Sequence, residues 1–394
     1  MKILSLNFTV KGVGTFRRAF YFSRELARAG HNVTLATVSR SSRYRAVVSY
    51  KCDWLTEAGA PRGDGPWVRL IEGPSFGNGL LPGTGWGPLD VWRRFRELAF
   101  NRYDAVLGFE YQPNVSLPVY LSQSWKNYAF YSDWCDWFGG GSNAFRGWKL
   151  AHRLDSYWEE KIRYRAERVS VTSRVLEERA LALGIPRDKV IRVPEGAQTD
   201  YIRPLARAEA CRRFRVPEDS SIVVAVSNGT MCREMRIFRE VLRQAPNAIF
   251  LWIGNVSRAA LALAEKLAIK DRIAPAGWIT DEAYPWALSC ADVCICPLED
   301  GLNDRARWPS KILDFLSAGR ATVTNPVGEV EPLFRNCEVG VLADHSDEGF
   351  AHQIVSLFRD SGRRQFLGEL ARKVMVHDWD WQVRGPQIAG LVTT

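Results

Sequence analysis

The chain opens with an apolar run, MKILSLNF, followed by a turn with two glycines, KGVGT, and then FRRAFYFSRELARAG, whose apolar residues recur every three to four positions. That pattern predicts a buried strand feeding an amphipathic helix. Gly30 closes the helix, and HNVTLATV supplies a second strand rich in β-branched residues. YDAVLGF (103–109), NYAFYS (127–132) and RVSVTS read as later strands of the same sheet, with a helical pattern from about Trp148 to Arg168 and another in RVLEERALALG. Residues 59–90 are so punctuated by Gly, Pro and Trp that they predict an irregular, functional loop.

After the proline-bearing stretch VIRVPEGAQTDYIRP the alternation starts again. Strands SIVVAVSN, AIFLWIGN, RIAPAGWI, DVCICPL and ATVTNP are separated by helical patterns such as REMRIFREVLRQA and PSKILDFLSAG. The expected fold is α/β, with two Rossmann-like, doubly wound parallel-sheet domains at 1–200 and 201–375 and a helical segment at 376–394 that Pro386 interrupts.

Composition narrows the class. A chain of 394 residues, 46% hydrophobic and 25% charged, suits two globular cores, and no apolar run is long enough to span a bilayer. A soluble cytoplasmic protein is expected. Eight cysteines lack CxxC pairing and zinc-finger spacing, so neither a disulfide framework nor a metal site is expected. Cys294 and Cys296 read as small hydrophobes on one face of a strand. The net charge of +9 is spread over clusters such as RRFRELAFNR, KIRYRAER and RRFR. Such a field suits phosphate-bearing substrates or an anionic membrane surface, but no nucleic-acid motif accompanies it. Nine of the fifteen tryptophans precede residue 160, which is compatible with a ring-stacking acceptor domain and with peripheral membrane attachment.

Several fragments, in order, resemble the retaining GT-B glycosyltransferases of glycosyltransferase family 4. GVGTFRRAFYFSRELARAGHNVTLAT is similar to the family's opening, GWITDEAYPWALSCADVCICPL to its Gly-hydrophobic segment, helix and Ala-Asp strand, and PSKILDFLSAGRATVTNPVGEVEPLF to its acidic helix and following glycine. VGVLAD and the terminal HDWDW complete the series, and the family's last helix usually crosses back to the first domain. The resemblance implies two domains facing a central cleft, with the donor bound mainly by the second and the acceptor by the first. It implies transfer of a sugar from a nucleotide-sugar to a glycan, lipid-linked or small-molecule hydroxyl, at the inner face of the membrane where the acceptor is lipid-linked. No prosthetic group is implied. A nucleotide-sugar epimerase of the same fold and a non-catalytic nucleotide-sugar-binding scaffold are the rival readings.

Breaking the anomeric C–O bond of a sugar diphosphate requires stabilisation of charge growing on the leaving phosphate, a task for cations and helix N-termini. Pro309 suits a helix start, which would set Lys311 beside the diphosphate; a solvent-facing lysine is the plain alternative. Arg233, in SNGTMCRE, stands near the family's first basic residue and could fork onto two phosphate oxygens. Asp314 takes the place of the family glutamate that accepts from the ribose hydroxyls. The family's second glutamate, eight positions earlier, is Ala306 here, and Asn303, Arg305 and Arg307 surround it. Either arginine could take over charge stabilisation. Glu329, after Gly328, is a candidate for the sugar hydroxyls.

In the first domain, Gly12, Val13 and Gly14 would let backbone N–H groups approach phosphate or sugar. A dinucleotide-binding oxidoreductase is disfavoured, because Arg17 stands where a third glycine belongs and the second strand ends without an acidic residue. Asp133 and Asp136, in YSDWCDWFGG, and Glu110, in GFEYQP, are candidates near the reaction centre, with Asp133 placed in a catalytic role. A loop carboxylate capping a turn is the alternative for each.

Overall fold

The computed structural model describes residues 1–55, 65–78, 84–140, 149–227, 229 and 231–393. The chain forms two compact α/β units. The first comprises Met1–Glu195 with Arg305–Trp308 and Trp381–Thr394; the second comprises Gly196–Asp304 and Pro309–Asp380.

The first unit holds β1 (Lys2–Val10), β2 (Asn32–Val38), β3 (Val47–Lys51), β4 (Val68–Gly73), β5 (Ala105–Phe109), β6 (Ala129–Trp134), β7 (Arg168–Val171) and β8 (Val190–Arg192). Their order in the sheet is β3-β4-β2-β1-β5-β6-β7-β8. β1 lies between β2 and β5, with Lys2 opposite Asn32 and Ile3 opposite Ala105, so its interior is buried on both faces. All pairings are parallel except that of β3 with β4.

Helix Thr15–Arg28 buries Phe16, Phe20, Phe22 and Leu26 in one core cluster. The C-terminal helix Trp381–Val392 adds Ile388, Leu391 and Val392 to that cluster, and Trp381 stacks on Tyr21 at 5.5 Å between ring centres. Pro386 lies inside this helix rather than ending it, at the cost of a single backbone hydrogen bond.

The loop expected over 59–90 is partly regular. β4 occupies 68–73, its buried Val68, Leu70 and Ile71 filling a place beside β2, and helix Pro88–Phe100 begins at the segment's end. Flanking Gly and Pro residues hid a six-residue strand and a proline-initiated helix. Residues 56–64 and 79–83 lie outside the described residues.

The second unit holds β9 (Ile222–Ser227), β10 (Ile249–Gly254), β11 (Ile273–Gly277), β12 (Val293–Cys296), β13 (Ala321–Thr324) and β14 (Val341–Leu342). The order is β11-β10-β9-β12-β13-β14, all parallel. Pro275 sits on the edge strand β11 where the register slips, a place that tolerates a missing donor. Cys294 and Cys296 are buried as small core residues, and neither forms a disulfide.

Each sheet reverses direction once. The chain leaves β1 toward β2 on one side and returns to β5 on the other; β9 is likewise flanked by β10 and β12. The carboxyl ends of strands at such a reversal are where α/β sheets bind ligands.

Candidate functional site

In the second unit, the carboxyl ends of β9, β12 and β14 gather a set of charges. β9 runs into a turn in which Gly229 donates its backbone N–H to Ser227 Oγ at 2.9 Å. Met231 then takes a left-handed conformation (φ 53°) before helix Cys232–Gln244. That entry brings Arg233 across the sheet end: Nη1 donates to Leu298 O at 2.8 Å and Nη2 to His345 O at 3.2 Å. Asp347, whose carboxylate lies 3.7 Å from Arg233 Nε, also pairs with Arg236 at 2.8 Å. A cavity of about 450 Å³ opens there, lined by Arg233, Arg236, Glu299, Asp300, His345 and Asp347.

Lys311 reaches the same strand ends from helix Ser310–Ser317, its Nζ donating to Val226 O at 2.9 Å. Pro309 is the residue that caps this helix. Glu234 is pushed above the usual carboxylate range by burial, against the pull of Lys311 and Arg233. Two cations and one reluctant anion thus share the carboxyl end of β9.

Asp314 is buried, and its Oδ2 accepts from Tyr284 Oη at 3.0 Å. The carboxylate expected at a ribose is therefore held within the unit by Tyr284. Glu329 caps helix Val330–Cys337 directly after Gly328, which has φ 56°. Asn325, which sequence reasoning passed over, is fully buried and joins three strand ends. Its Oδ1 accepts from Leu298 N at 2.9 Å, and its Nδ2 donates to Ala343 O at 3.2 Å and Asp344 O at 2.7 Å. An Asn just past a strand reads as turn chemistry, so nothing in the sequence marked it.

In the first unit, Gly12 (φ 79°) and Gly14 (φ 53°) shape the turn after β1, with Thr9 Oγ1 donating to Val13 O at 2.9 Å. A Cβ at Gly12 would stand 3.1 Å from Arg40 Nη2 and 3.2 Å from the Trp54 ring, in a conformation that L side chains rarely adopt.

The carboxylates after β5 and β6 sit in a buried network. Arg18 donates Nε to Asp133 Oδ2 at 2.7 Å and Nη2 to Oδ1 at 2.8 Å, while Ser170 Oγ donates to Oδ1 at 2.5 Å. Asp133, placed at the reaction centre by sequence, is thus almost inaccessible and committed to internal partners. Its chemistry here is that of a buried, bidentate ion pair.

Glu110 is also fully buried, with φ 69°. Its Oε1 accepts from Cys135 N at 2.7 Å and Asp136 N at 2.9 Å, and its Oε2 pairs with Arg163 Nη2 at 3.0 Å. Glu159 does the same for the next residues, accepting from Trp134 Nε1 at 2.8 Å, Phe138 N at 3.1 Å and Gly139 N at 2.7 Å. Two carboxylates therefore hold the backbone of 135–139 from within. Burial, opposed by Arg163, raises Glu110 to about 7, and burial reinforced by the Glu110 charge raises Glu159 to about 8. In the sequence Glu159 and Arg163 belong only to the helical pattern from about Trp148 to Arg168.

Unlike Asp133, Glu110 and Glu159, Asp136 is partly exposed. Burial raises its carboxyl, and the charges of Arg307 and Arg18 oppose that. Residues 305–308 cluster with the first unit, where Ser173 Oγ donates to Ala306 O at 2.5 Å and Ala306 is a core residue. Arg305 is exposed and Arg307 half-buried, so of this pair Arg307 bears on Asp136. The structure brings Lys311 and Arg233 together, and separately Asp136 and Arg307. Among the described residues no group of His, Cys, Asp or Glu could hold a metal ion, and no helix is long and apolar enough to cross a membrane.

Comparison with known proteins bears on both units. Residues 13–201 match the model of Glycosyltransferase Family 4, and residues 230–360 that of Glycosyl transferases group 1. No curated protein matches significantly. Among solved structures, sucrose-phosphate synthase from Thermosynechococcus elongatus is similar at 16% identity and TM-score 0.75, over 99% of this chain and 98% of that one. Anabaena Alr3699/HepE in complex with UDP-glucose is similar at 12% identity and TM-score 0.70, over 99% and 98%. WaaG, a glycosyltransferase involved in lipopolysaccharide biosynthesis, is similar at 14% identity and TM-score 0.68, over the whole of both chains. The fold is GT-B, and with a glycosyltransferase domain matched in each unit the chain is a glycosyltransferase.

Proposed function

We propose that the enzyme transfers a glycosyl group from a nucleotide sugar to an acceptor hydroxyl with retention of anomeric configuration. The second unit takes the donor and the first the acceptor. The observation that carries this reading is the meeting of Lys311 and Arg233 at the carboxyl ends of β9, β12 and β14, beside the point where the sheet reverses. The UDP-glucose complex of the similar Anabaena protein supports a nucleotide-sugar donor.

In this mechanism the bond from the anomeric carbon to the diphosphate oxygen breaks, and Lys311 and Arg233 stabilise the charge that develops on the phosphate. The acceptor oxygen bonds to the same face of the anomeric carbon, and its proton passes to the departing phosphate. Asp314, steadied by Tyr284, accepts from the ribose, and Glu329 addresses the sugar hydroxyls. On the acceptor side the Gly12–Gly14 turn offers backbone donors. Asp136 and Arg307 orient the acceptor, while Asp133 and Glu110 position the loop that carries Asp136. This reading requires no metal or prosthetic group.

A lipid-linked acceptor at the cytoplasmic face of a membrane fits the surface of the first unit. Trp92, Phe100, Leu121 and Trp125 are exposed there, with Arg96 over the Phe100 ring and Lys126 over Trp125. The test of the reaction is to incubate the enzyme with α-configured nucleotide sugars and candidate acceptors, following nucleoside diphosphate release and the product's anomeric coupling constant. An α-linked product supports the reading; a β-linked product contradicts retention, and turnover without glycosyl transfer favours an epimerase.

A further inference from the structure

At the opposite end of the second sheet, where β12 and β13 begin, a cavity of about 520 Å³ is lined by four arginines, Arg207, Arg320, Arg364 and Arg372, against two acids, Asp292 and Glu369. Asp292 is consumed by Arg207, at 2.7 Å, and by Arg364, at 3.4 Å. Glu369 accepts from Gln365 at 2.8 Å. Among the described residues Arg320 and Arg372 make no ion pair, although both are half-buried. Arg372 spends Nη1 on the carbonyls of Thr199, Ile202 and Ser317, at 3.0, 2.8 and 3.1 Å. Arg320 gives Nη1 to Ala291 O at 3.2 Å, and its Nε is shut off from solvent with no acceptor.

Burial holds both guanidinium groups below their ordinary pKa, outweighing the opposing pull of Asp292 on Arg320 and of Asp200 and Asp380 on Arg372. A shielded cation without an anion is costly, and a chain that keeps two of them beside an open cavity gains stability when an anion enters. Arginine forks fit phosphate oxygens in pairs. The volume exceeds what a bare phosphate needs and matches a small organic molecule.

We propose that this cavity is a second anion site that binds a phosphomonoester, held by Arg320 and Arg372 and framed by Arg207 and Arg364. It is separate from the donor site. Asp292 precedes β12 and Leu298 follows it, and the four strand residues between them, at about 3.3 Å each, keep the two sheet ends more than about 13 Å apart. The phosphomonoester is either a free sugar phosphate or the headgroup of a phosphatidic acid; both present the same dianion.

The test uses the full chain, titrated with glucose 6-phosphate by calorimetry and, separately, sedimented with phosphatidylcholine vesicles with and without phosphatidic acid. Three variants are compared: Arg320→Gln, Gln365→Glu and Lys311→Ala. Gln365 is exposed on the helix lining the cavity, so Gln365→Glu adds a repelling charge without disturbing the core. Saturable binding to either probe is expected, weakened at least about tenfold by Arg320→Gln and by Gln365→Glu and unchanged by Lys311→Ala. Binding of the sugar phosphate identifies a metabolite; binding of the vesicles alone identifies a lipid headgroup. Absence of binding to both probes overturns the proposal. So does binding that survives Gln365→Glu, or binding that Lys311→Ala removes, since the latter belongs to the donor site.

Discussion

Asp133→Asn separates a structural carboxylate from a catalytic one. The substitution keeps the side chain's shape and removes its charge, leaving the Arg18 guanidinium, 2% exposed, with Glu195 at 3.6 Å as its remaining acid. Breaking a buried ion pair by neutralising one partner costs about 3–5 kcal/mol, and the survival of Glu195 puts the expected loss near the lower figure. In a unit of some two hundred residues that is a fall in Tm of roughly 6–12 °C. Replacing Arg18 as well, in Arg18→Met/Asp133→Asn, removes the stranded cation, so the double variant should lose less than the sum of the single losses. Circular dichroism melts of the four proteins give the coupling directly. Assayed below the transition, Asp133→Asn should keep kcat within about tenfold of the parent, because the carboxylate is spent on Arg18 and Ser170. An unchanged Tm together with a fall in kcat of more than about a hundredfold would refute this reasoning and return Asp133 to the reaction centre.

Other consequences can be measured independently. Glu159, at an ordinary value of 4.5 and raised by burial to about 8, binds a proton in the folded state that the unfolded chain has released between those values. Its contribution to stability is therefore full below about pH 4.5 and declines as pH rises to about 8, by a few kcal/mol; urea melts of Glu159→Gln should show a flatter pH profile, and an identical slope would contradict the assignment. Asn325→Ala should cost about 2–4 kcal/mol through three lost buried hydrogen bonds and raise the donor KM, which steady-state kinetics and melts would check. Ala306→Glu should destabilise by at least about 3 kcal/mol without raising activity, since position 306 is fully buried; a gain in kcat would show the site is open. Trp92→Ser/Trp125→Ser should weaken co-sedimentation with anionic vesicles at low salt, and undiminished binding would remove this patch from the account.

How far the sequence carried depends on how each element is specified. Long apolar strands such as β1, β9 and β10, each followed by a strongly amphipathic helix, declared themselves because period and length agree. The segment around β4 did not, because a strand of six residues between Gly and Pro clusters carries little local signal and is made by its neighbour β2. At the site, Lys311 and Arg233 were legible as cations at helix starts after strands. The buried carboxylates were not. Asp133, Glu110 and Glu159 look alike in sequence, and their partners Arg18 and Arg163 come from distant elements, so only tertiary structure shows which charges are internal. Ala306 was read as the absence of a ligand, whereas the structure shows a core residue of the first unit.

The most direct test of the central claim is calorimetric titration of UDP and other nucleoside diphosphates into the enzyme and into Lys311→Ala. A saturable complex with at least one nucleotide, weakened about ten- to a hundredfold by the loss of one charged hydrogen bond to phosphate, is the expected result. Absence of binding to every nucleoside diphosphate, or equal affinity in the two proteins, would contradict the placement of the donor diphosphate beside Lys311.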